Sequence, residues 1–179
     1  MAMTLLTGPV ASGKSRLATD LAARWAGPVA MVATAEALDE EMRERIERHR
    51  LERPEGWVVH EEPLDLAGAI QGVGPDAFAI VDCLTLWASN MLGAEMSPGR
   101  VVELAVEAAE VAGARPAPTV VVTNEVGWGI VPANDLARAY RELLGRVNRA
   151  FADRAAEVRL VVAGRAVALP PIDPGGVIA

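Results

Sequence analysis

The chain of 179 residues has one cysteine, Cys83, and only 4% aromatic residues. A single cysteine cannot form an intramolecular disulfide. Packing and hydrogen bonds must therefore hold the fold, which suits a reducing compartment. With so few aromatics in a chain that is 51% hydrophobic, the core must be built from Val, Leu, Ile and Ala. Basic residues are also in deficit, 17 Lys and Arg against 24 Asp and Glu, for a formal charge of −7. That excludes the broad basic face of a nonspecific nucleic-acid binder. It does not exclude nucleotides, because a loop of backbone N–H groups binds phosphate locally whatever the net charge. No apolar run approaches the roughly 20 residues of a membrane span, so no stable membrane insertion is expected. No repeat, linker or low-complexity tract divides the chain. One domain over residues 1–179 is expected, with a proline- and glycine-rich, loosely ordered tail from about residue 167.

What the sequence does contain begins at Gly8. Residues 8–15 read Gly8-Pro9-Val10-Ala11-Ser12-Gly13-Lys14-Ser15, the pattern G-x-x-x-x-G-K-[ST] of a phosphate-binding loop. Each part has a physical task. Glycine lets the backbone curl so that its N–H groups point at the β-phosphate. Lys14 reaches the β- and γ-phosphates, and the Ser15 hydroxyl is placed for Mg²⁺. The apolar run before the loop reads as a buried strand. The segment after it opens a helix whose positive end faces the same phosphates. The loop starts so close to the N-terminus that no cleavable signal is expected, and a cytoplasmic location follows.

Along the chain, short apolar runs alternate with longer amphipathic segments. Residues 3–7, 29–34, 78–83, 119–123 and 158–163 are near-continuous hydrophobic strands, as expected where helices cover both faces of a sheet. Helices are predicted over roughly 14–26, 38–53, 63–72, 84–92, 98–114 and 134–156. Ser97-Pro98 and Glu62-Pro63 put proline at a first helical position, and Asn134 is a cap. The alternation implies an α/β fold with a mostly parallel sheet and right-handed crossovers. Ligands of such sheets sit at the carboxyl ends of the strands, so the residues just past each strand are the candidates.

Asp82 ends one such strand, where a carboxylate serves as a second organiser of Mg²⁺ or as the cap of the next helix. The helix near 38–53 begins Asp39-Glu40-Glu41 and ends in a basic stretch around His49. Acid first and base last complements the helix dipole, so a solvated, self-stabilised helix is one reading. The other is a phosphate contact with a histidine nucleophile, since neutral imidazole attacks an α-phosphate to give a labile phosphoramidate. His60 reads as structural or surface. The stretch 123–132, with two glycines and a proline after a strand, is either an ordered loop at the ligand end or an ordinary turn. Trp87 reads as core, whereas Trp128 has an apolar ligand or an interface as alternatives.

These residues together resemble a known family, the bifunctional adenosylcobinamide kinase/adenosylcobinamide-phosphate guanylyltransferases of cobalamin biosynthesis. The resemblance rests on several stretches: the phosphate loop; Ala33-Thr34-Ala35; Asp39-Glu40-Glu41-Met42; Arg45-Ile46-x-x-His49-x-x-x-Arg53-Pro54; and Trp57 with Glu61-Glu62-Pro63. It continues through Val81-Asp82-Cys83-Leu84-Thr85-Leu86-Trp87 with Asn90, Asn124-Glu125-Val126-Gly127-x-Gly129-Ile130-Val131-Pro132, and Gly145-x-x-Asn148. It implies a P-loop NTPase of RecA-like fold, acting as a homotrimer. It implies two reactions. ATP or GTP phosphorylates adenosylcobinamide. GTP then guanylylates a histidine, which passes GMP to the phosphorylated corrinoid. The histidine is His49. Ala33, Thr34, Ala35, Arg50, Arg53, Glu61 and Asp82 match nucleotide-binding positions, with Ser15 and Asp82 at the metal.

The chain departs from the family pattern within the loop. Pro9 replaces a glycine and removes one N–H, and Ala11 replaces an arginine and removes a charge. A plain P-loop small-molecule kinase explains the loop and Asp82 but not His49 or the 124–132 loop. A non-catalytic nucleotide switch predicts GTP binding without turnover.

Overall fold

A computed structural model describes residues 3–37, 39–51 and 54–173. Among these residues seven strands form one sheet: β1 (Met3–Thr7), β2 (Val29–Ala33), β3 (Val58–Glu61), β4 (Phe78–Asp82), β5 (Thr119–Val122), β6 (Glu157–Val162) and β7 (Arg165–Ala168). The spatial order is β3-β2-β4-β5-β1-β6-β7, and every pairing is parallel except β6 with β7. Among the described residues six helices flank it: α1 (Lys14–Ala22), α2 (Glu40–Leu51), α3 (Leu66–Gly72), α4 (Leu84–Gly93), α5 (Pro98–Ala114) and α6 (Asp135–Ala152).

The apolar strands are covered on both faces, and alternate residues divide between two clusters. Met3 and Leu5, Ala30 and Val32, Ala79 and Val81, and Val121 face one way. There they meet Ile70 of α3, Trp87 of α4, Phe151 of α6 and a stripe of small residues on α5, Ala105, Ala108 and Ala112. Leu6, Val29, Met31, Phe78, Ile80, Val120 and Val122 face the other way, where Ala18 and Ala22 of α1 pack. This is the two-sided burial that continuous hydrophobic strands require. Burying some 25 cal/mol per Å² of apolar surface over two such layers is the main stabilising term.

The helix boundaries differ from expectation where local hydrogen bonds compete. Proline at position 63 does not start a helix. The Glu62 carboxylate instead accepts the N–H groups of Leu64 (2.9 Å) and Asp65 (2.8 Å), which holds a turn. Asp65 then caps α3 by accepting from the Gly68 N–H at 2.9 Å. α1 stops at Ala22 rather than near 26, and α6 at Ala152 rather than 156. Ser97 and Asn134 cap α5 and α6 as expected. β7 was not foreseen. It follows Ala163 (φ 50°) and Gly164 (φ 72°), two left-handed residues of the kind that close a tight hairpin. Residues 167 and 168 therefore belong to an edge strand.

Candidate functional site

The carboxyl ends of β1, β4, β5, β2 and β3 all open at one edge of the sheet, which brings distant sequence positions together. After β1 the chain turns back sharply. Gly8 sits at φ 145°, and a Cβ there would lie 2.2 Å from the Val161 carbonyl oxygen of β6, so only glycine fits. Ala11 is also left-handed (φ 57°), a conformation that costs a side-chain-bearing residue on the order of 1 kcal/mol. Gly13 (φ 99°) then heads α1 with no side-chain cap, leaving the helix N-terminus to present its own N–H groups. From the far side, the β6–β7 turn braces the loop through Gly164 N–H to the Ser12 carbonyl, 2.9 Å.

Lys14, the chain's only lysine, is buried beneath this loop. Its Nζ donates to the carbonyls of Gly8 (3.1 Å) and Pro9 (2.7 Å) and to Ser12 Oγ (3.3 Å). Replacing glycine by Pro9 removes an N–H, yet its carbonyl still positions the ammonium. A cavity of about 270 Å³ lies over the loop. Residues Val10 through Arg16 line it, with Asp82 and Cys83 after β4 and Asn124 after β5.

A second cavity of similar size lies alongside and shares Asp82 and Cys83 with the first. Ala33, Ala35, Glu61 and Arg50 line it, together with Met42, Arg43, Ile46 and Glu47 on one face of α2. The sequence-predicted site residues thus divide between two adjoining chambers, the phosphate loop in one and Ala33, Ala35, Arg50 and Glu61 in the other. Asp82 stands on the common wall. It is the last residue of β4 and not the cap of α4, which starts from Cys83.

Thr34 lines neither cavity. It is buried, and its hydroxyl donates to the Cys83 carbonyl (2.7 Å) while accepting from the Cys83 N–H (2.9 Å). It is a brace between strand ends. Asn90 extends it by donating to the Thr34 carbonyl at 2.7 Å. Cys83 is inert as a nucleophile at neutral pH, since burial, with the neighbouring Asp82 charge, pushes its thiol up to about 11.

α2 is stabilised at its start. Asp39 accepts from the Met42 N–H (2.7 Å), and Arg43 pairs with Glu40. Its backbone carries His49 three residues after Ile46 and seven after Met42, both of which line the second cavity. The His49 side chain and the whole of Arg53 lie outside the described residues. His60 is on the edge strand β3.

The loop after β5 is anchored by a polar network that sequence reading missed. Asn148, buried on α6, accepts from the Thr123 hydroxyl (2.6 Å) and donates to the Asn124 carbonyl (3.0 Å) and Glu125 Oε1 (3.1 Å). The Thr7 hydroxyl donates to the same Glu125 oxygen at 2.7 Å, and the Glu125 N–H bonds the Gly8 carbonyl at 3.1 Å. Thr85 Oγ1 accepts from the Asn124 N–H (2.9 Å), so the Asn124 backbone is fixed at both ends at the cavity wall. The polar spacing Asn124-Glu125…Asn148 was the available signal, but its partners are up to 118 residues apart. Trp87 is core, with its indole N–H on the Leu64 carbonyl, while Trp128 is exposed.

Residues 4–169 match the family described as cobinamide kinase / cobinamide phosphate guanyltransferase. The chain is 40% identical over 161 residues to the bifunctional adenosylcobalamin biosynthesis protein CobP of Pseudomonas aeruginosa, spanning 89% of this chain and 92% of that protein. It is also 40% identical over 175 residues to the bifunctional adenosylcobalamin biosynthesis protein CobU of Escherichia coli, spanning 90% and 96%. Among solved structures, a type III secretion system ATPase of pathogenic bacteria superposes with a TM-score of 0.51 at 11% identity. That match covers 93% of this chain and 56% of the other, and its likeness is one of fold: a P-loop NTPase with a mostly parallel sheet.

Proposed function

The chain belongs to the cobinamide kinase / cobinamide phosphate guanyltransferase family, whose members are bifunctional transferases, and from that premise we propose how its two chambers divide the work. The phosphate-loop chamber binds the triphosphate of ATP or GTP and carries the kinase step. The acceptor hydroxyl of adenosylcobinamide forms a bond to the γ-phosphorus as the bond from that phosphorus to the β-phosphate oxygen breaks. The nucleoside diphosphate leaves, and the hydroxyl proton goes to solvent. Lys14 and the loop N–H groups neutralise the charge, which such transfers need more than covalent help.

The second chamber, on the face of α2, carries guanylyl transfer. The imidazole of His49 attacks the α-phosphorus of GTP, pyrophosphate leaves, and a guanylyl-histidine forms. The phosphate of adenosylcobinamide phosphate then displaces the imidazole to give adenosylcobinamide-GDP. Arg50, Arg53 and Glu61, with Ala33 and Ala35, are the proposed nucleotide contacts there. The observation that carries this division is the shared wall, since Asp82 faces both chambers.

Mg²⁺ fits the donor set, because the Ser15 hydroxyl and the Asp82 carboxylate are hard oxygens lining one cavity, and this ion takes few protein ligands beside phosphates and water. When bound it would neutralise developing phosphate charge. A homotrimer, which rests on the resemblance, and a cytoplasmic location, which rests on the single cysteine, belong to the same proposal. No helix among the described residues is long and apolar enough to cross a membrane.

Lys14→Met tests the kinase half. Transfer of γ-labelled phosphate to adenosylcobinamide is expected to fall about 10²–10³-fold in kcat, as for loss of one preorganised electrostatic contact. A change under threefold would sink the assignment of the first chamber.

A further inference from the structure

We propose that the loop from Val126 to Val131, with Val10 of the phosphate loop, is the subsite for the corrin macrocycle; this rests on the functional reading above. The phosphate-loop cavity, at about 270 Å³, is below the range that drug-sized ligands fill. It accommodates a triphosphate and the tip of an acceptor arm. A cobalt corrin with its amide side chains is far larger and has to remain outside, within the arm's length of the mouth.

The loop leaves the cavity wall at Asn124, and its apolar side chains are exposed. Val10, itself part of the cavity lining, is 65% exposed, Trp128 69% and Ile130 96%, with Val126 and Val131 also exposed. Large apolar side chains exposed together on one short loop are a feature of binding surfaces. The loop is also held at both ends. Asn124 and Glu125 fix its start to Thr85, Asn148 and Gly8. At its end the Arg138 guanidinium donates to the carbonyls of Pro132 and Ala133, each at 2.7 Å. A preordered apolar platform loses little entropy when a rigid macrocycle settles on it.

Charge agrees with this occupant. A Co(III) corrin is cationic; between Glu125 and Asp135 the loop carries no Lys or Arg of its own, and the Arg138 guanidinium at its end is paired with Asp135. Ile172, exposed and apolar beyond β7, lines neither cavity and serves as a control.

The test compares wild type, Trp128→Ala, Ile130→Ser and Ile172→Ser. It measures the KM for adenosylcobinamide and for nucleotide in the kinase step, and quenching of tryptophan fluorescence by adenosylcobinamide. The first two variants are expected to raise the corrinoid KM and its apparent Kd at least tenfold, with the nucleotide KM within twofold of wild type. Ile172→Ser is expected to match wild type. An unchanged corrinoid Kd in both loop variants overturns the proposal. So does a shift in sedimenting mass without a change in that Kd, which would make the loop an interface between copies. A wild-type protein that binds but does not phosphorylate the corrinoid would refute the functional reading, while a Kd difference between it and Trp128→Ala would still support the subsite.

Discussion

Asn148→Leu removes three hydrogen bonds while keeping the number and branching of side-chain heavy atoms, which makes the anchoring of the 124–132 loop measurable. Asn148 accepts from Thr123 and donates to the Asn124 carbonyl and the Glu125 carboxylate. The three partners do not suffer equally. Asn124 and Glu125 are half-exposed and recover hydrogen bonds from water, so each loses only the net value of about 1 kcal/mol, with more for the charged one. The Thr123 hydroxyl is fully buried, and an orphaned group of that kind costs about 1–3 kcal/mol. Because the three act as one network the terms do not simply add, and a total of about 2–4 kcal/mol is expected. For a chain of this length that lowers Tm by about 5–15 °C. Differential scanning fluorimetry reads the stability, and kinase turnover below the transition reads the function. Turnover is expected to fall at least tenfold, because Asn124 at the cavity wall loses one of its two backbone restraints. A Tm within 2 °C of wild type and unchanged turnover would refute the claim that this network positions the loop.

Two further outcomes follow from the site. Gly8→Ala places a Cβ 2.2 Å from a backbone oxygen at a left-handed φ, so it is expected to destabilise by more than about 3 kcal/mol and to abolish nucleotide binding. Wild-type-like binding by calorimetry would show that β1 and β6 separate freely. Cys83 supplies a pH dependence. Its folded-state thiol titrates near 11, above its unfolded value, so the folded state holds the proton longer. That contribution is fully present below about pH 8.5 and is lost as pH rises through 11, up to about 3 kcal/mol by the end. Tyr140, also pushed up by burial, adds in the same direction at higher pH. Urea denaturation between pH 8 and 11 is expected to show a steeper loss for wild type than for Cys83→Ala, and parallel curves would contradict it.

The parts of the fold legible in the sequence were those fixed by local pattern. β1, β2, β4, β5 and β6 are apolar runs because helices bury both their faces, and periodicity reports that burial. The phosphate loop was legible because its chemistry dictates consecutive residues. β7 was missed because all four of its residues are exposed, and only the Ala163-Gly164 turn marks it. The start of α3 was misplaced because the Glu62 carboxylate holds the Leu64 and Asp65 N–H groups in a turn, and Asp65 rather than Glu62 caps the helix through the Gly68 N–H. The Thr7–Glu125–Asn148 network was beyond local reading, since its members meet only after β1, β5 and α6 have assembled. Thr34 matches a nucleotide-binding position, and the bonds of its hydroxyl to the Cys83 backbone are legible only once the neighbouring strand is placed.

On the proposed function, one chain carries phosphoryl transfer on its loop and guanylyl transfer on α2 through His49. The most direct test is incubation of the pure protein with α-³²P-GTP and Mg²⁺ beside His49→Ala, followed by denaturing electrophoresis. A labelled wild-type band, labile to acid and stable to alkali, is expected and should be missing in His49→Ala. A wild type that binds GTP but takes no label, or a label that persists in His49→Ala, would contradict it.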